Sequence, residues 1–317
     1  MKLLIVIVNY RTGDLTVDCL RSLMPEIAAL PSTSVVVADN ESRDGSIDAI
    51  ARAIAAEGWT SHASVVSLGR NGGFAFGNNR PIAAALRSSD PPEYVMLLNP
   101  DTLVRPGAVR ELLAFMESHP HVGIAGSRLE DLDGTPQRSA FRFPSIPGEI
   151  DAGLQLGIVS KLLNRHVVAP PASDTPHRCG WVAAASMIIR VQVVADIGLM
   201  DEGFFMYFEE TDFCRRAARR GWPCWYVPAS RVVHFVGQAS GVTDPRQTHR
   251  RRPAYWFESR RRYFLRNHGW PYAVLADLSF TVCFALWRLR RAIQAKPDRD
   301  PPKLLGDFLR HSSIWGN

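Results

Sequence analysis

The chain has 317 residues, of which 46% are hydrophobic and 21% are charged. These fractions are ordinary for a globular protein with a buried core and argue against extensive disorder. The formal net charge of +6 is concentrated, because the segment from Arg246 to Arg291 contains eleven arginines and only two acids, Glu258 and Asp277. Such a block indicates either a surface for an anionic partner or a solvated helix face.

The five cysteines form no C-x-x-C pair, and their number is odd. This pattern is more typical of reduced thiols in a cytoplasmic protein than of a disulfide framework or a zinc site. The apolar run near the N-terminus, from Leu3 to Val8, is only six residues long and shorter than the apolar region of a signal peptide. We therefore interpret it as a buried first strand of a cytoplasmic protein.

Strand and helix patterns alternate over the first 126 residues. A continuous apolar run at residues 3–8 predicts a strand buried on both faces, and further strands are predicted at 34–38, 64–68 and 94–98. Helical patterns fall between and after them: a helix from 13 that ends before Pro25, one at 44–57 capped by Asp44, one after a glycine-rich turn at 71–80, and one at 106–118. This alternation predicts a parallel sheet with helices on both faces.

Polar side chains follow these strands where each strand ends: Asn9, Asp39, Asn71 and Asp101. Ligands of parallel α/β sheets bind at the carboxyl ends of the strands. A carboxylate in this position, such as Asp101 in Asn99–Pro100–Asp101, can hold a hard cation and through it a diphosphate. We therefore expect one shared polar site at this edge.

Gly72 and Gly73 allow close backbone approach, and the helix that follows them favours phosphate at its N-terminus. The motif is neither G-x-G-x-x-G nor a P-loop. Glu209 and Glu210 fall at another predicted helix start, 210–220. The helix dipole alone favours acids there, but the preceding aromatic stretch also fits a general base at the edge of a dry pocket.

The pattern is less regular after Gly126. The proline-rich segment 141–179 is predicted as a long loop, 181–190 as a strand and 225–227 as a short strand. The stretch 271–287 is mostly apolar, and arginines flank it, including Arg261, Arg262, Arg288 and Arg290. It is marginal for a membrane span and indicates an interfacial helix, a helix packed on the preceding part of the chain or a dimer helix.

Five stretches resemble, in order, the family 2 glycosyltransferases of the GT-A fold, especially bacterial rhamnosyltransferase-like members. The stretches are Val6–Tyr10, Val37–Ser46, Asn71–Ala75, Leu97–Asp101 and Phe205–Asp212. The resemblance implies an α/β fold with a Rossmann-like, mostly parallel central sheet flanked by helices and a C-terminal helical extension. Its implied division is a catalytic domain at 1–241, with a nucleotide-binding half to about 126 and an acceptor half at 127–241, and a basic helical region at 242–317.

The implied reaction is the inverting transfer of a sugar from a nucleoside-diphosphate sugar to a hydroxyl of a glycan or lipid-linked acceptor, in cell-surface polysaccharide synthesis. The resemblance favours dTDP-rhamnose, with UDP-sugars next, and implies Mg²⁺ or Mn²⁺ as cofactor. We expect location in the cytoplasm, peripheral on the anionic inner face of the membrane, and no nucleic-acid partner. A homodimer is left open.

The resemblance also implies residue roles. Asp39 would accept from N3–H of a uracil or thymine ring, and Asn9 and Tyr10 would line the same pocket. Asp101 and His234 would bind the metal ion. Further donor contacts are implied for Arg11, Asn40, Ser42, Asn71, Gly72, Gly73, Phe74, Asn78, Asn99, Gln238 and Ser240.

The family places its base at the second acid of a pair, which here is Glu210, with Glu209 in reserve. Two other functions fit the sequence less well. A nucleotidyltransferase on a similar fold needs a glycine-rich loop with a basic residue after the first strand, and only Gly13 is found there. A non-catalytic protein that binds anionic lipid or nucleic acid through its arginines would not explain the acids at the strand ends.

Overall fold

The computed structural model describes residues 1–30, 32–235, 237 and 250–316. The first part of the chain alternates strands and helices, with one short additional strand. These elements are β1 (Leu3–Asn9), α1 (Gly13–Ala28), β2 (Thr33–Asp39), α2 (Ser46–Ala56), β3 (Ala63–Ser67), α3 (Gly73–Leu86), β4 (Tyr94–Leu98), β5 (Thr102–Val104), α4 (Ala108–Ser118) and β6 (Ile124–Glu130).

The second part is richer in helices. Its elements are β7 (Ala140–Phe141), α5 (Ile146–Leu154), α6 (Gly157–Leu162), β8 (His177–Cys179), β9 (Trp181–Val182), β10 (Ser186–Arg190), α7 (Val191–Ile197), α8 (Glu209–Arg219), β11 (Cys224–His234), α9 (Ala254–His268), α10 (Trp270–Ile293) and α11 (Leu304–Arg310). Short 3₁₀ turns occur at Asn164–His166 and Ser313–Trp315.

Within the described residues, nine strands form one mixed sheet in the order β3-β2-β1-β4-β10-β6-β11-β5, with β8 also paired to β11. Strands β3, β2, β1 and β4 are parallel. Strand β10 runs antiparallel to both β4 and β6, and β11 is parallel to β6. The predicted α/β architecture is thus confirmed, with a parallel first half and a mixed second half.

All seven residues of β1 are buried, as expected for a central strand covered on both faces. Leu3, Ile5 and Ile7 pack into a core with α1, α2 and α4, whereas the alternate residues Leu4 and Val6 pack into a second core that includes side chains from α3, α7 and α8. This alternation is the two-residue period of a strand. The sheet is therefore a rigid layer between two apolar cores, and its carboxyl edge is held firmly in place.

Two local predictions in the first part are corrected. Helix α1 continues through Pro25 to Ala28, because Met24 and Ile27 are buried in the core and this packing outweighs the one helical hydrogen bond that proline cannot make. Asp44 lies before the cap position of α2, which is Gly45; its carboxylate accepts from the Ser46 backbone N–H at 3.0 Å.

Four predictions in the second part are also corrected. The segment 141–179 contains helices α5 and α6 instead of one long loop, and the segment 181–190 is split into β9 and β10. The predicted helix start moves from Glu210 to Glu209. Strand β11 has eleven residues rather than the three predicted, because it pairs with β6, β5 and β8 at different points along its length.

Helices α9, α10 and α11 pack together beside α5. Arg260 on α9 is buried and forms ion pairs with Asp277 on α10 and with Glu149 on α5, where its Nη2 lies 2.8 Å from Oε2. Asp277 therefore does not interrupt an apolar helix; it joins that helix to its neighbours. The 24-residue α10 is long and apolar enough to cross a membrane by length and composition alone.

Candidate active site

A cavity opens at the carboxyl edge of the parallel strands, where the sequence predicted a shared polar site. Most of its lining belongs to the predicted site residues and to the segments that contain β9, β10 and α8. The residues around it are Val8, Tyr10, Thr12, Asn40, Asn71, Gly73, Phe74, Asn99, Pro100, Asp101, Ala183, Ala184, Ala185, Met206, Tyr207, Glu209, Glu210, His234 and Gly237. Because the sequence resemblance implies a nucleotide-sugar donor at this edge of the sheet, we call this the donor-side cavity.

Asn9 and Asp39 lie side by side beneath this cavity, at the ends of the paired strands β1 and β2. Asn9 Nδ2 donates to Asp39 Oδ1 at 2.6 Å and to Ser42 Oγ at 3.1 Å, and Asn9 Oδ1 accepts from Thr12 and Thr16. Asp39 Oδ2 accepts from the Ser42 backbone N–H at 3.0 Å. The polar groups of the Asn9 side chain are thus engaged within the protein, and Asn9 positions Asp39.

The glycine turn contacts the protein more closely than the sequence predicted. Gly73 has φ of +86°, and a β-carbon there would lie 2.0 Å from the Phe205 carbonyl oxygen. The same carbonyl accepts from the Phe74 N–H at 2.8 Å, and Asn40 Nδ2 donates to the Gly73 carbonyl at 2.9 Å. Only glycine fits both the conformation and the space. The turn therefore fastens the start of α3 to the segment that precedes the two glutamates.

Asp101 and His234 come together because β5 pairs with β11. Thr102 lies opposite His234 in this ladder, and the Phe235 N–H donates to the Asp101 carbonyl at 2.9 Å. His234 Nε2 is 3.6 Å from Asp101 Oδ1, and both side chains are largely buried. Two ligands of one ion can have this separation, since each lies about 2.1 Å from a bound Mg²⁺.

Several buried oxygen atoms around the cavity have no hydrogen-bond partner in the described part of the chain: Asn40 Oδ1, Asn99 Oδ1, Glu209 Oε2 and Glu210 Oε2. Buried polar atoms are normally satisfied, so such a group of acceptors indicates a site for donors or cations from a ligand. The described residues contain no cluster of three or more His, Cys, Asp or Glu side chains suited to a metal ion. An ion held by Asp101 and His234 would complete its shell with ligand oxygens.

Glu209 and Glu210 begin helix α8 after a strained turn, since Tyr207 and Phe208 have φ of +71° and +67°. This turn directs both carboxylates to the cavity. Burial raises the pKa of Glu210 to about 7. Burial, and then repulsion from Glu210, raise the pKa of Glu209 well above its ordinary value. A carboxylate with a pKa near neutrality is suited to take up a proton during catalysis.

A second cavity lies on the other side of Glu210. It shares Tyr207 and Glu210 with the donor-side cavity, but Glu209 borders only the donor side. Its remaining walls come from α5, α9, α10, α11 and adjoining segments. They are Pro144, Glu149, Ala152, Gln155, Val168, Trp181, Phe208, Thr211, Arg252, Trp256, Arg260, Phe280, Phe284, Asp300, Pro301, Leu304 and Phe308. We call this the aromatic cavity.

Ten of the predicted site residues border the donor-side cavity: Tyr10, Asn40, Asn71, Gly73, Phe74, Asn99, Asp101, Glu209, Glu210 and His234. Six others do not border it: Asn9, Arg11, Asp39, Ser42, Gly72 and Asn78. Among these, Asn78 donates to the Phe74 carbonyl inside α3. Gln238 and Ser240 lie outside the described residues.

The sequence did not predict Thr12, Ala183–Ala185, Arg252 or Trp256 as site residues. The small side chains at 183–185 follow a tryptophan and precede β10, and this contrast in size was the only available signal. Arg252 and Trp256 belong to the arginine- and aromatic-rich block. Their approach to Glu210 depends on how α9 packs, which no local pattern reveals.

The geometry of the site agrees with the sequence resemblance, and a comparison with family models shows which family the chain belongs to. The model for glycosyltransferase-like family 2 matches residues 2–266. The chain belongs to this glycosyltransferase family. The match covers β1 to α9, so the family pattern includes both acids of α8 and most of the helix that carries Trp256.

Two curated relatives are 28% identical to the glycosyltransferase described here. The N-acetylglucosaminyl-diphospho-decaprenol L-rhamnosyltransferase of Mycobacterium tuberculosis (strain H37Rv) aligns over 76% of this chain and 78% of its own length. The rhamnosyltransferase WbbL of Escherichia coli (strain K12) aligns over 52% and 62%, respectively. The crystal structure of GalNAc-T7 with UDP, GalNAc and Mn²⁺ aligns with a TM-score of 0.60 at 15% identity, over 98% of this chain and 56% of that one. At this identity the last match supports the GT-A fold alone.

Proposed function

We propose that this glycosyltransferase moves a sugar from a nucleoside diphosphate to an acceptor hydroxyl with inversion at the anomeric carbon, and that Glu210 is the base. The observation that carries the proposal is that Glu210 borders both cavities, with Oε2 buried and without a partner in the described chain. An inverting base must reach the acceptor hydroxyl on the side opposite the leaving group. Glu209 borders only the donor-side cavity and is the weaker candidate.

A divalent ion, Mg²⁺ or Mn²⁺, would be held by Asp101 and His234. Asn99 borders the same cavity, where its Oδ1 would accept a hydrogen bond from a metal-bound water or from the ribose. When bound, it would neutralise charge on the departing diphosphate. The other residues would orient the donor: Asn71 and Gly73 border the cavity and would face the phosphates, and Tyr10 is an exposed ring that borders the same cavity. The role of Asp39 in base recognition stays a prediction, supported by its position directly before Asn40, which borders the cavity.

Rhamnose is the sugar we favour, with dTDP-rhamnose as donor, because the two curated relatives are both named rhamnosyltransferases. The M. tuberculosis relative is named for an acceptor in which a saccharide is joined through diphosphate to a polyprenol. We therefore propose a lipid-linked saccharide acceptor and a role in cell-surface polysaccharide synthesis. The alternative is a soluble glycan acceptor, and a screen of both acceptor classes distinguishes the two.

We also propose that the protein binds the inner face of the membrane through α10. The helix presents a row of exposed apolar side chains spaced three or four residues apart: Leu275, Leu278, Val282, Leu286, Leu289 and Ile293. Ile158 and Leu162 on the nearby α6 are also exposed. Contiguous exposed apolar surface is unusual on a free soluble protein and marks an interaction surface. The opposite side of α10 packs on α5 and α9, which supports peripheral attachment rather than a span.

The proposed function is tested by screening nucleotide sugars for release of nucleoside diphosphate with and without Mg²⁺ or Mn²⁺. Asp101→Ala should lose transfer almost completely, because it removes a proposed metal ligand at the diphosphate. Excess chelator should abolish transfer by the unmodified protein in the same way. Full activity in chelator would remove the metal ion from the proposal, and absence of diphosphate release with every donor would overturn the proposal.

A further inference from the structure

Among the described residues, Arg252 is the cation of the aromatic cavity that no acidic side chain neutralises. Arg252 lies just before α9 and stacks on Trp256, with its guanidinium carbon 4.0 Å from the ring centroid. In the described part of the chain, no acidic side chain forms an ion pair with it. Burial lowers the pKa of Arg252, which indicates that its positive charge is poorly solvated in this position. A partly buried arginine of this kind is suited to bind an anion from a ligand.

Two of the three acids that the described residues place on the cavity wall already have partners. Glu149 pairs with Arg260, and Asp300 Oδ2 accepts from the Trp287 indole N–H at 3.2 Å. Glu210 is the proposed base, and its pKa of about 7 leaves it partly protonated at neutral pH. The charge available to a ligand in this cavity is therefore the positive charge of Arg252.

The contacts along the cavity have a definite order. Phe208, two residues before Glu210, has its ring centroid 6.1 Å from that of Trp256. Trp256 packs in turn against an apolar cluster that includes Phe284, Leu304 and Phe308 on α10 and α11. The wall thus passes from a carboxylate, through aromatic rings and one cation, to an apolar surface.

We propose that the aromatic cavity is the acceptor subsite and takes a saccharide joined through phosphate to an apolar alcohol, with Arg252 binding the phosphate. This inference rests on the proposed function and makes it more specific. The acceptor hydroxyl lies at Glu210, the sugar ring contacts Tyr207 and Trp256, and the first part of the alcohol packs on Phe280 and Phe284. The C-terminal helices therefore form part of the acceptor site.

The test measures binding and needs neither donor nor turnover. Geranyl diphosphate is the probe, and geraniol and inorganic pyrophosphate are its two matched fragments; binding is followed by the fluorescence of tryptophan, since Trp181 and Trp256 line the cavity. All titrations are done in excess chelator, so that a metal-dependent donor site does not contribute. We expect geranyl diphosphate to bind at least about tenfold more tightly than either fragment, a difference of about 1.4 kcal/mol.

Arg252→Ala should weaken binding of geranyl diphosphate at least tenfold, and Arg252→Lys should weaken it less. Arg250→Ala is the matched control, because Arg250 is exposed and does not border the cavity. Asp101→Ala should also leave this binding unchanged. Equal binding by the Arg252 and Arg250 variants would overturn the proposal, as would geraniol binding as tightly as the diphosphate. Pyrophosphate binding as tightly would show a plain anion site and would overturn the apolar half of the proposal.

The comparison of the three probes on the unmodified protein keeps the proposal testable if Arg252→Ala does not fold. Loss of the proposed function has a different signature: no donor would release diphosphate, whatever the probes do. If transfer occurs and Arg252→Ala raises the KM for a phosphate-linked acceptor but not for its phosphate-free glycoside, both proposals stand together. If the two KM values rise equally, Arg252 does not bind the phosphate of the acceptor.

Discussion

At the scale of single residues, the glutamate pair at the start of α8 combines two opposing influences. The helix N-terminus favours ionised carboxylates, but burial disfavours them and prevails, since the pKa of both groups is raised. The turn at Tyr207 and Phe208 forces both acids into this position despite its backbone strain. Costly features of this kind occur mainly where function requires them.

Glu210→Gln keeps the shape of the side chain but cannot accept a proton. We expect kcat to fall by about 10²–10⁴-fold, the range typical of acid–base groups, with little change in donor binding. Because the active form of Glu210 is ionised and its pKa is about 7, wild-type kcat should rise with pH up to this value and then level off. Steady-state kinetics from pH 5.5 to 9 measures both the loss of kcat in the variant and the pH dependence of the wild-type kcat. If Glu209→Gln is inactive and Glu210→Gln is active, the base is Glu209.

The same pair should lower the stability of the folded protein in alkaline solution. A carboxyl whose pKa is raised on folding binds more protons in the folded state, so its stabilising effect is complete at low pH and is lost as pH rises through the folded pKa. Glu209→Gln removes one of the two repelling charges. We expect its Tm to exceed that of the wild type at pH 8 and the difference to vanish only below the ordinary glutamate pKa of 4.5. Glu111→Gln, at an exposed site on α4, should change Tm little at either pH.

At the scale of elements, α10 is held by the buried arginine between two acids. Asp277 pairs with Arg260 and also accepts from the Ser313 backbone N–H at 2.6 Å. Asp277→Ala leaves Arg260 paired with Glu149 alone and leaves the Ser313 N–H without its acceptor, and a buried polar group that loses its partner typically costs about 1–3 kcal/mol. We expect Asp277→Ala to lower the free energy of unfolding by roughly this amount in urea titrations.

Asp298→Ala is the control for that substitution. Asp298 pairs with Arg288 and Arg291 at a more exposed position, where such pairs contribute only about 0–1 kcal/mol. Similar losses for the two variants would mean that the buried pair does not fasten α10. A change in the slope of the urea transition for Asp277→Ala would indicate that α10 unfolds separately from the sheet.

The elements that the sequence predicted well are those whose pattern is local. Strands β1, β2 and β4 are continuous apolar runs, and their polar end residues reveal the site. Strand β5 has only three residues and exists through its pairing with β11, so no local pattern could predict it. The approach of His234 to Asp101 depends on that pairing, and only the family resemblance indicated it. The buried partner of Asp277 was likewise invisible, because Arg260 belongs to a block that resembles a solvated surface.

At the scale of the whole molecule, the basic block is less available to outside partners than its composition indicates. Four of the arginines that flank the apolar stretch have partners within the chain: Arg261 donates to Gly316, Arg262 pairs with Asp201, Arg288 pairs with Asp298, and Arg290 donates to Leu154 and Gln155. The exposed apolar row of α10 is therefore the stronger basis for membrane attachment, and arginines that remain partly exposed add to it.

This arrangement predicts how the protein partitions onto lipid vesicles. Burying a leucine side chain fully gains about 1.5–3 kcal/mol, so replacing Leu278, Val282 and Leu286 together by Ser should reduce partitioning at least tenfold. Leu132→Ser is the matched control, because Leu132 is 62% exposed but lies in the turn after β6. Binding of the wild type should fall with salt only in part, since screening weakens the arginine contribution and leaves the apolar one. Co-sedimentation with vesicles of anionic and of zwitterionic lipid, at low and high salt, measures the arginine and the apolar contributions separately.

A dimer interface is the outcome that would contradict this prediction. If neither lipid binds the protein, its mass in solution is that of two chains and the triple variant is monomeric, the row on α10 is a dimer interface and the membrane proposal is wrong.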